Sequence, residues 1–402
     1  MIRLPGLAGT VLACCLSLAV SPLAGAAPDY PPTCRPVATT DAARRAARAI
    51  NAFAAAAVRS DGGPSLRAFS PVPAWLSYAL ILNEPGPPPN GTADPVAVPR
   101  AYQVQDVRAL RASLGIGSTP LAAYNAANEA LIAALRGSGL AVEDAVWYDP
   151  AVVRVPVPVR ERLASAYCTE WTAETIAGRA PDALDASMNA WSARVTAGRL
   201  DRVLADSVSR RRWAGSGTNV LNALVAMHLA ARWNEALPFG ARWLDDGHGL
   251  RGMLARATAS GSSETVLLFY GSAARVKALA SELSPDRLDA LEKGFVATNG
   301  ILRVTGFSLR SAFSYGELPQ GWFGTLNAGG MLEETEIRLT PSDLTIDAVT
   351  QLHGLSDPGP IIDGGVPRVA RPALGVSDLY APLLLVVRDD RTGLWLYVAS
   401  TA

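Results

Sequence analysis

Phe69-Ser70-Pro71-Val72-Pro73-Ala74-Trp75-Leu76-Ser77-Tyr78-Ala79-Leu80 carries its own start signal. Ser70 suits a helix N-cap, and Pro71 suits the first turn, where an N–H has no partner to lose. The helix that follows carries Trp75, Leu76, Ala79, Leu80 and Leu82. Upstream, Thr39 to Arg59 is rich in Ala and Arg, with Ala46, Ile50, Phe53, Ala54 and Ala57 at helical spacing. Asp61-Gly62-Gly63-Pro64 stops it. Downstream, Glu84 to Pro99 is rich in Pro and Gly and reads as a loop, with a glycosylation sequon at Asn90-Gly91-Thr92.

Further out, Asp106–Leu114, Leu121–Leu135, Ala183–Thr196 and Ser284–Lys293 read as helices, the last capped by Ser284. Val142–Trp147, Val152–Val159, Asn219–Ala231 and Val266–Tyr270 have strand composition. Pro156 and Pro158 make the second of these an edge or irregular piece. Beyond residue 294 strands dominate: Ile301–Leu309, Glu334–Leu339, Leu344–Thr350, Leu383–Arg388 and Leu394–Ser400. Helices first and strands later is an α+β pattern.

The composition narrows the function classes. The chain has 402 residues, with 36 basic and 36 acidic side chains. A net charge of zero argues against a nucleic-acid partner held by a basic field. Hydrophobic residues at 49% and charged residues at 18% describe a chain with a large core. Residues 1–26 read as a signal peptide: Arg3, an apolar stretch from Leu7 to Val20, then Ala24-Gly25-Ala26. The alternatives are a membrane anchor, for which the apolar stretch is short, or acylation at Cys14 or Cys15. Cleavage leaves residues 27–402 as one exported domain, secreted or periplasmic, with no membrane segment. Cys34 and Cys168 then remain. An even pair in an oxidising compartment predicts one disulfide, worth on the order of 4–5 kcal/mol, against the alternative of two free thiols.

Catalytic signatures are missing from the sequence. It has no nucleophile elbow, phosphate loop, dinucleotide fingerprint or zincin motif. Of three histidines, His228 lies in an apolar run and reads as a hydrogen-bonded core residue. His248, in Asp245-Asp246-Gly247-His248-Gly249, reads as a turn residue, with a metal at Asp245, Asp246 and His248 as the alternative. The expectation is a non-enzyme without metal or cofactor.

Four blocks in order then resemble the serpin family. Phe69 to Leu80 is similar to the opening of that family's buried second helix. Met188-Asn189-Ala190-Trp191 with Val195-Thr196-Ala197-Gly198-Arg199-Leu200 is similar to the helix that crosses its main sheet. Thr218-Asn219-Val220-Leu221-Asn222-Ala223, Arg232-Trp233 and Phe239 resemble the third strand of that sheet. Ala381-Pro382-Leu383 to Asp389, with Thr392-Gly393-Leu394-Trp395-Leu396, resembles the terminus. The resemblance spans most of residues 40–400. It implies helices around a large mixed main sheet, with smaller β-sheets.

It also implies a mechanism. A serine-type protease cuts an exposed loop, which inserts into the main sheet and traps the acylated protease. Ser70 and Asn222 would sit where the sheet opens and Trp233 near the top of that opening. Leu344–Leu352 would feed the loop, with Gln351 where the family has histidine, and the reactive loop would span 359–378. Matching Gly359 to the hinge glycine turns Pro360, Ile362, Gly364 and Val366 inward. Pro360 and Pro367 each delete a ladder donor. Counting from Gly359 puts the cut bond at Ala373–Leu374, with Arg368–Val369 as the alternative for a trypsin-like protease. The leading expectation is a monomeric inhibitor of serine-type endopeptidases. The alternatives are a non-inhibitory serpin-fold binding protein, motivated by the prolines, and an exported hydrolase.

Overall fold

A computed structural model describes residues 38–59, 67–83, 108, 110–112, 114–153, 155–175, 181–201, 218–235, 241–259, 261–297, 307–314, 320–322, 326–356 and 382–401. Helix α1 (Asp41–Arg59) begins where the Thr40 hydroxyl accepts the Ala43 N–H at 3.2 Å, and it buries Ala46, Ile50 and Ala54 as its spacing predicts. Asn51 ties it to the far end of the chain. Its amide donates to Gly393 O at 2.8 Å and accepts the Trp395 N–H at 2.7 Å.

Helix α2 (Pro71–Leu82) is buried along its whole length. Ser70 occupies the N-cap position, yet its hydroxyl does not cap. Pro71 and Pro73 remove two of the donors that a cap would serve, so the hydroxyl is released for another contact. Helices α3 (Leu121–Arg136) and α5 (Pro181–Val195) form where expected. The strand composition of Val152–Val159 is overridden. Residues from Val157 enter helix α4 (Val157–Ala166), with Pro156 at the N-cap and Pro158 in the first turn, positions that tolerate proline. After it, Cys168 takes φ 63° and is disulfide-bonded. Cys34 and the signal segment lie outside the described residues. Two more helices, α6 (Ala273–Ser281) and α7 (Pro285–Glu292), are each capped by a serine hydroxyl, that of Ser272 and that of Ser284.

The main sheet has the order β3 (Glu170–Ala173), β2 (Ala141–Tyr148), β4 (Thr218–Trp233), β11 (Asp343–Ser356), β10 (Leu326–Leu339) and β8 (Phe307–Ser314). It is mixed: β3 runs parallel to β2, and the other neighbours are antiparallel. A second group runs β6 (Leu250–Ala259), β7 (Ser262–Gly271), β12 (Leu383–Asp389), β13 (Trp395–Ser400) and β1 (Arg67–Phe69). β4 joins the two groups through Arg232↔Thr258 and Trp233↔Ala257. β5 (Arg242–Asp245) pairs with β6, and β9 (Gln320–Trp322) pairs with β10.

The central core lies between the inner face of the main sheet and helices α1 to α3. A smaller cluster lies under α5 on the outer face, where Trp147 and Trp191 meet edge to face at 5.8 Å. Among the described residues no helix is long and apolar enough to cross a membrane.

Candidate functional site

Strand β11 is the middle of the main sheet, and its connections set it apart. It follows β10 through the three-residue turn Thr340-Pro341-Ser342 and runs antiparallel to it over its whole length. It also runs antiparallel to β4, from Asp343↔Arg232 to Ser356↔Thr218. The strands on its two sides are therefore parallel to each other. A strand delivered by a hairpin lies antiparallel to its feeder, so it completes an antiparallel ladder on both sides only between parallel neighbours. β11 occupies that place. Leu344–Leu352, expected to feed the reactive loop, lies inside β11.

Local chemistry pins the turn. Asp343 N–H donates to the Thr340 hydroxyl at 2.9 Å, and Thr340 N–H donates to Asp343 O at 2.8 Å. Trp233 donates from Nε1 to Thr340 O at 2.7 Å and from its backbone N–H to Ser342 O at 3.2 Å. Trp233→Phe is expected to cost about 1–2 kcal/mol, the value of one buried hydrogen bond with its carbonyl left unpaired. A urea midpoint that does not move would show that the indole N–H does not hold the turn.

The inner face of β11 carries Leu344, Ile346 and Leu352 into the central core. The outer face carries Thr345, Asp347, Val349 and Gln351 by alternation. Val349 packs in the cluster under α5 with Trp147, Met188 and Trp191. Asp347 is held by His228 Nδ1 at 2.6 Å and faces Arg199 Nε at 3.5 Å. Burial raises the Asp347 pKa. His228 and Arg199 hold it back, and Glu336 on β10 pushes it up further.

Arg199 reaches Asp347 because the segment after α5 turns sharply. Ala197 and Gly198 take φ 50° and 79°, and the Thr196 hydroxyl accepts the Leu200 N–H at 3.0 Å. Thr350 Oγ1 and both polar atoms of the Gln351 amide are buried without a hydrogen-bond partner among the described residues.

The three residues expected where the sheet opens are placed around β11 but not beside one another. Ser70 lies beneath its midpoint: its N–H donates to the Glu333 carboxylate, and its hydroxyl donates to Leu396 O at 2.7 Å and lies 3.7 Å from Met227 Sδ. Glu333 and Met227 are the cross-strand neighbours of Thr350 and Ala348. Asn222, fully buried, lies between Trp147 of β2 and His353 of β11 in the ladder. Trp233 stands at the turn end. Gly359, Pro360, Ile362, Gly364 and Val366, and the bonds Arg368–Val369 and Ala373–Leu374, lie outside the described residues.

Glu333, Asp347 and the turn were not singled out in the sequence, and Arg199 stood in a quoted block without a role of its own. Thr340-Pro341-Ser342-Asp343 is a turn signal that divides the 326–356 stretch into a hairpin. Asp245 and Asp246 serve their own loop, accepting the Gly247 and His248 N–H at 2.9 and 2.8 Å. Among the described residues no group of three or more His, Cys, Asp or Glu is placed to hold a metal.

No protein-family model and no curated protein sequence matches the chain. Solved structures do. A thermophilic serpin, tengpin, in the latent state, has a TM-score of 0.63 at 12% identity, over 89% of this chain and 97% of that one. The cleaved serpin 42Da has 0.64 at 14%, over 89% and 98%. The reactive-loop-cleaved human thyroxine-binding globulin has 0.60 at 13%, over 79% and 99%. Sequence order, sheet topology and these likenesses agree: the chain has the serpin fold, in a divergent form.

Proposed function

We propose that the chain is an exported inhibitor of serine-type endopeptidases in which β11 is the trapping strand and the bait lies in residues 357–381. The observation that carries this reading is the position of β11, hairpin-fed between two mutually parallel strands. Its Thr350 and Gln351 groups, unpartnered among the described residues, support it further. A strand of Thr, Asp and Gln gains hydrogen bonds from water when withdrawn, and it gains apolar burial and a ladder on each side when inserted. In this reading the described arrangement is the inserted one. The Arg368–Val369 and Ala373–Leu374 bonds fall beyond β11, where a cut leaves β11 joined to β10 and the protease joined to its far end. We assign the disulfide of Cys168 to Cys34, as suits an oxidising compartment.

The test is incubation of the mature protein with trypsin and, separately, with an elastase-type protease. The expected product is a complex that survives detergent and boiling, with the cut mapped between 357 and 381. Cutting in that segment without any such complex would refute trapping. A second reading, a serpin-fold binding protein that inhibits nothing, is favoured by the complete β11 ladder in an uncut chain.

A further inference from the structure

A cleft of about 570 Å³ opens on the outer face at the turn end of β11. Ala230 and Thr345, cross-strand neighbours, give it small side chains at its base. Arg199, Arg232 and Arg338 line it, against one carboxylate, Asp343. The three guanidiniums come from separate elements: the segment after α5, the end of β4 and the end of β10.

Each guanidinium has five N–H donors, and the carboxylates around the cleft use few of them. Arg199 Nε faces Asp347 at 3.5 Å, Arg232 Nε faces Asp343 at 3.9 Å, and one Arg338 nitrogen meets Glu336 at 2.8 Å. Three planar donors around a small-residue base match the oxygens of a tetrahedral anion better than any apolar ligand. Two of the three carboxylates, Asp343 and Asp347, belong to β11.

We propose that this cleft binds a tetrahedral oxyanion, a phosphate or sulfate group, in competition with the two β11 aspartates. Occupancy then weakens the hold of Arg199 and Arg232 on β11, and by linkage withdrawal of β11 strengthens anion binding. The binding site stands by itself. Only its coupling to withdrawal rests on the reading of β11 as the movable strand.

The test is calorimetric titration of the mature protein with sodium sulfate and with sodium phosphate, in chloride buffer at constant ionic strength. Saturable binding of one anion per chain is expected, and the tighter anion identifies the source as a sulfate or a phosphate group. Arg232→Gln, at a side chain 85% exposed, should weaken binding about tenfold, the loss of one charge-assisted hydrogen bond. Asp343→Asn should tighten it severalfold. Arg44→Gln, on α1, should leave it unchanged. No saturable binding of either anion, or binding indifferent to Arg232→Gln, overturns the site. Hydrogen exchange at the β11 amides separates the second claim. Faster exchange with bound anion is expected, and unchanged exchange with binding intact refutes the coupling while the site stands.

Discussion

Ala348→Pro is expected to lower the stability of the described form by about 3–5 kcal/mol and to turn trapping into turnover. Ala348 is fully buried and lies opposite Met227 on one side and Thr335 on the other. Proline removes a ladder donor, leaves its acceptor unpaired in the core and locks φ near −65°, away from the extended strand. In a domain of this size the loss reads as a fall of several degrees in unfolding midpoint. If trapping operates as proposed, a β11 that does not hold its place lets the acylated protease complete hydrolysis, so cut product should accumulate in place of complex. An unchanged midpoint together with an unchanged yield of complex would remove β11 from the mechanism.

Asp144→Asn is expected to reduce the pH dependence of stability between about pH 4 and 8, a window that Glu264, Asp347 and Asp389, also raised by burial, share with it. Asp144 lies on β2 among core residues, and neither carboxylate oxygen has a hydrogen-bond partner among the described residues. The nearby Thr169 hydroxyl donates instead to Leu163 O. Burial pushes the Asp144 pKa up to about 8; Thr169 and Arg136 pull it back only in part, and Glu170 and Glu143 raise it. The folded protein therefore keeps a proton that the unfolded chain releases near pH 3.8. For an acid raised in this way, stability is full below the unfolded value and falls as pH climbs toward the folded one. The slope is about 1.4 kcal/mol per pH unit. Urea midpoints across that range should fall with rising pH in both proteins, and less steeply in Asp144→Asn. Parallel slopes in the two proteins would place the titration elsewhere.

Much of the fold is legible in residue order, and the failures have physical causes. The α1 stripe, the Ser70-Pro71 start and the apolar run from Asn219 each point to one element, because local propensity and burial agree there. Val157–Ala166 is helical against its composition because its prolines suit a first turn better than a ladder. Strand β6 went unread because Leu-Arg-Gly-Met-Leu-Ala-Arg-Ala-Thr-Ala has almost no β-branched residues. Its pairing with β7 makes it a strand, and Gly252 leaves room for Phe295, whose ring a Cβ would meet at 2.9 Å. The site was harder. Ser70, Asn222 and Trp233 stand in motif blocks that a local window contains, but Asp347 has meaning only once β4 and β11 are adjacent. That pairing joins residues more than a hundred positions apart, and no local window contains it.

The turn at Thr340-Pro341-Ser342 also bears on the order of events in folding. A hairpin with a three-residue loop closes in microseconds, whereas the β4–β11 pairing spans about 110–140 residues and waits on a long closure. β11 is therefore already lying along β10 when β4 arrives. Under the proposed function, a chain that is to emerge with its bait exposed has to bring β4 and β10 together before that hairpin zips. Whether it emerges armed or spent is then a race between two closures. Slowing the hairpin, by lengthening or loosening the turn, shifts the outcome toward the armed form.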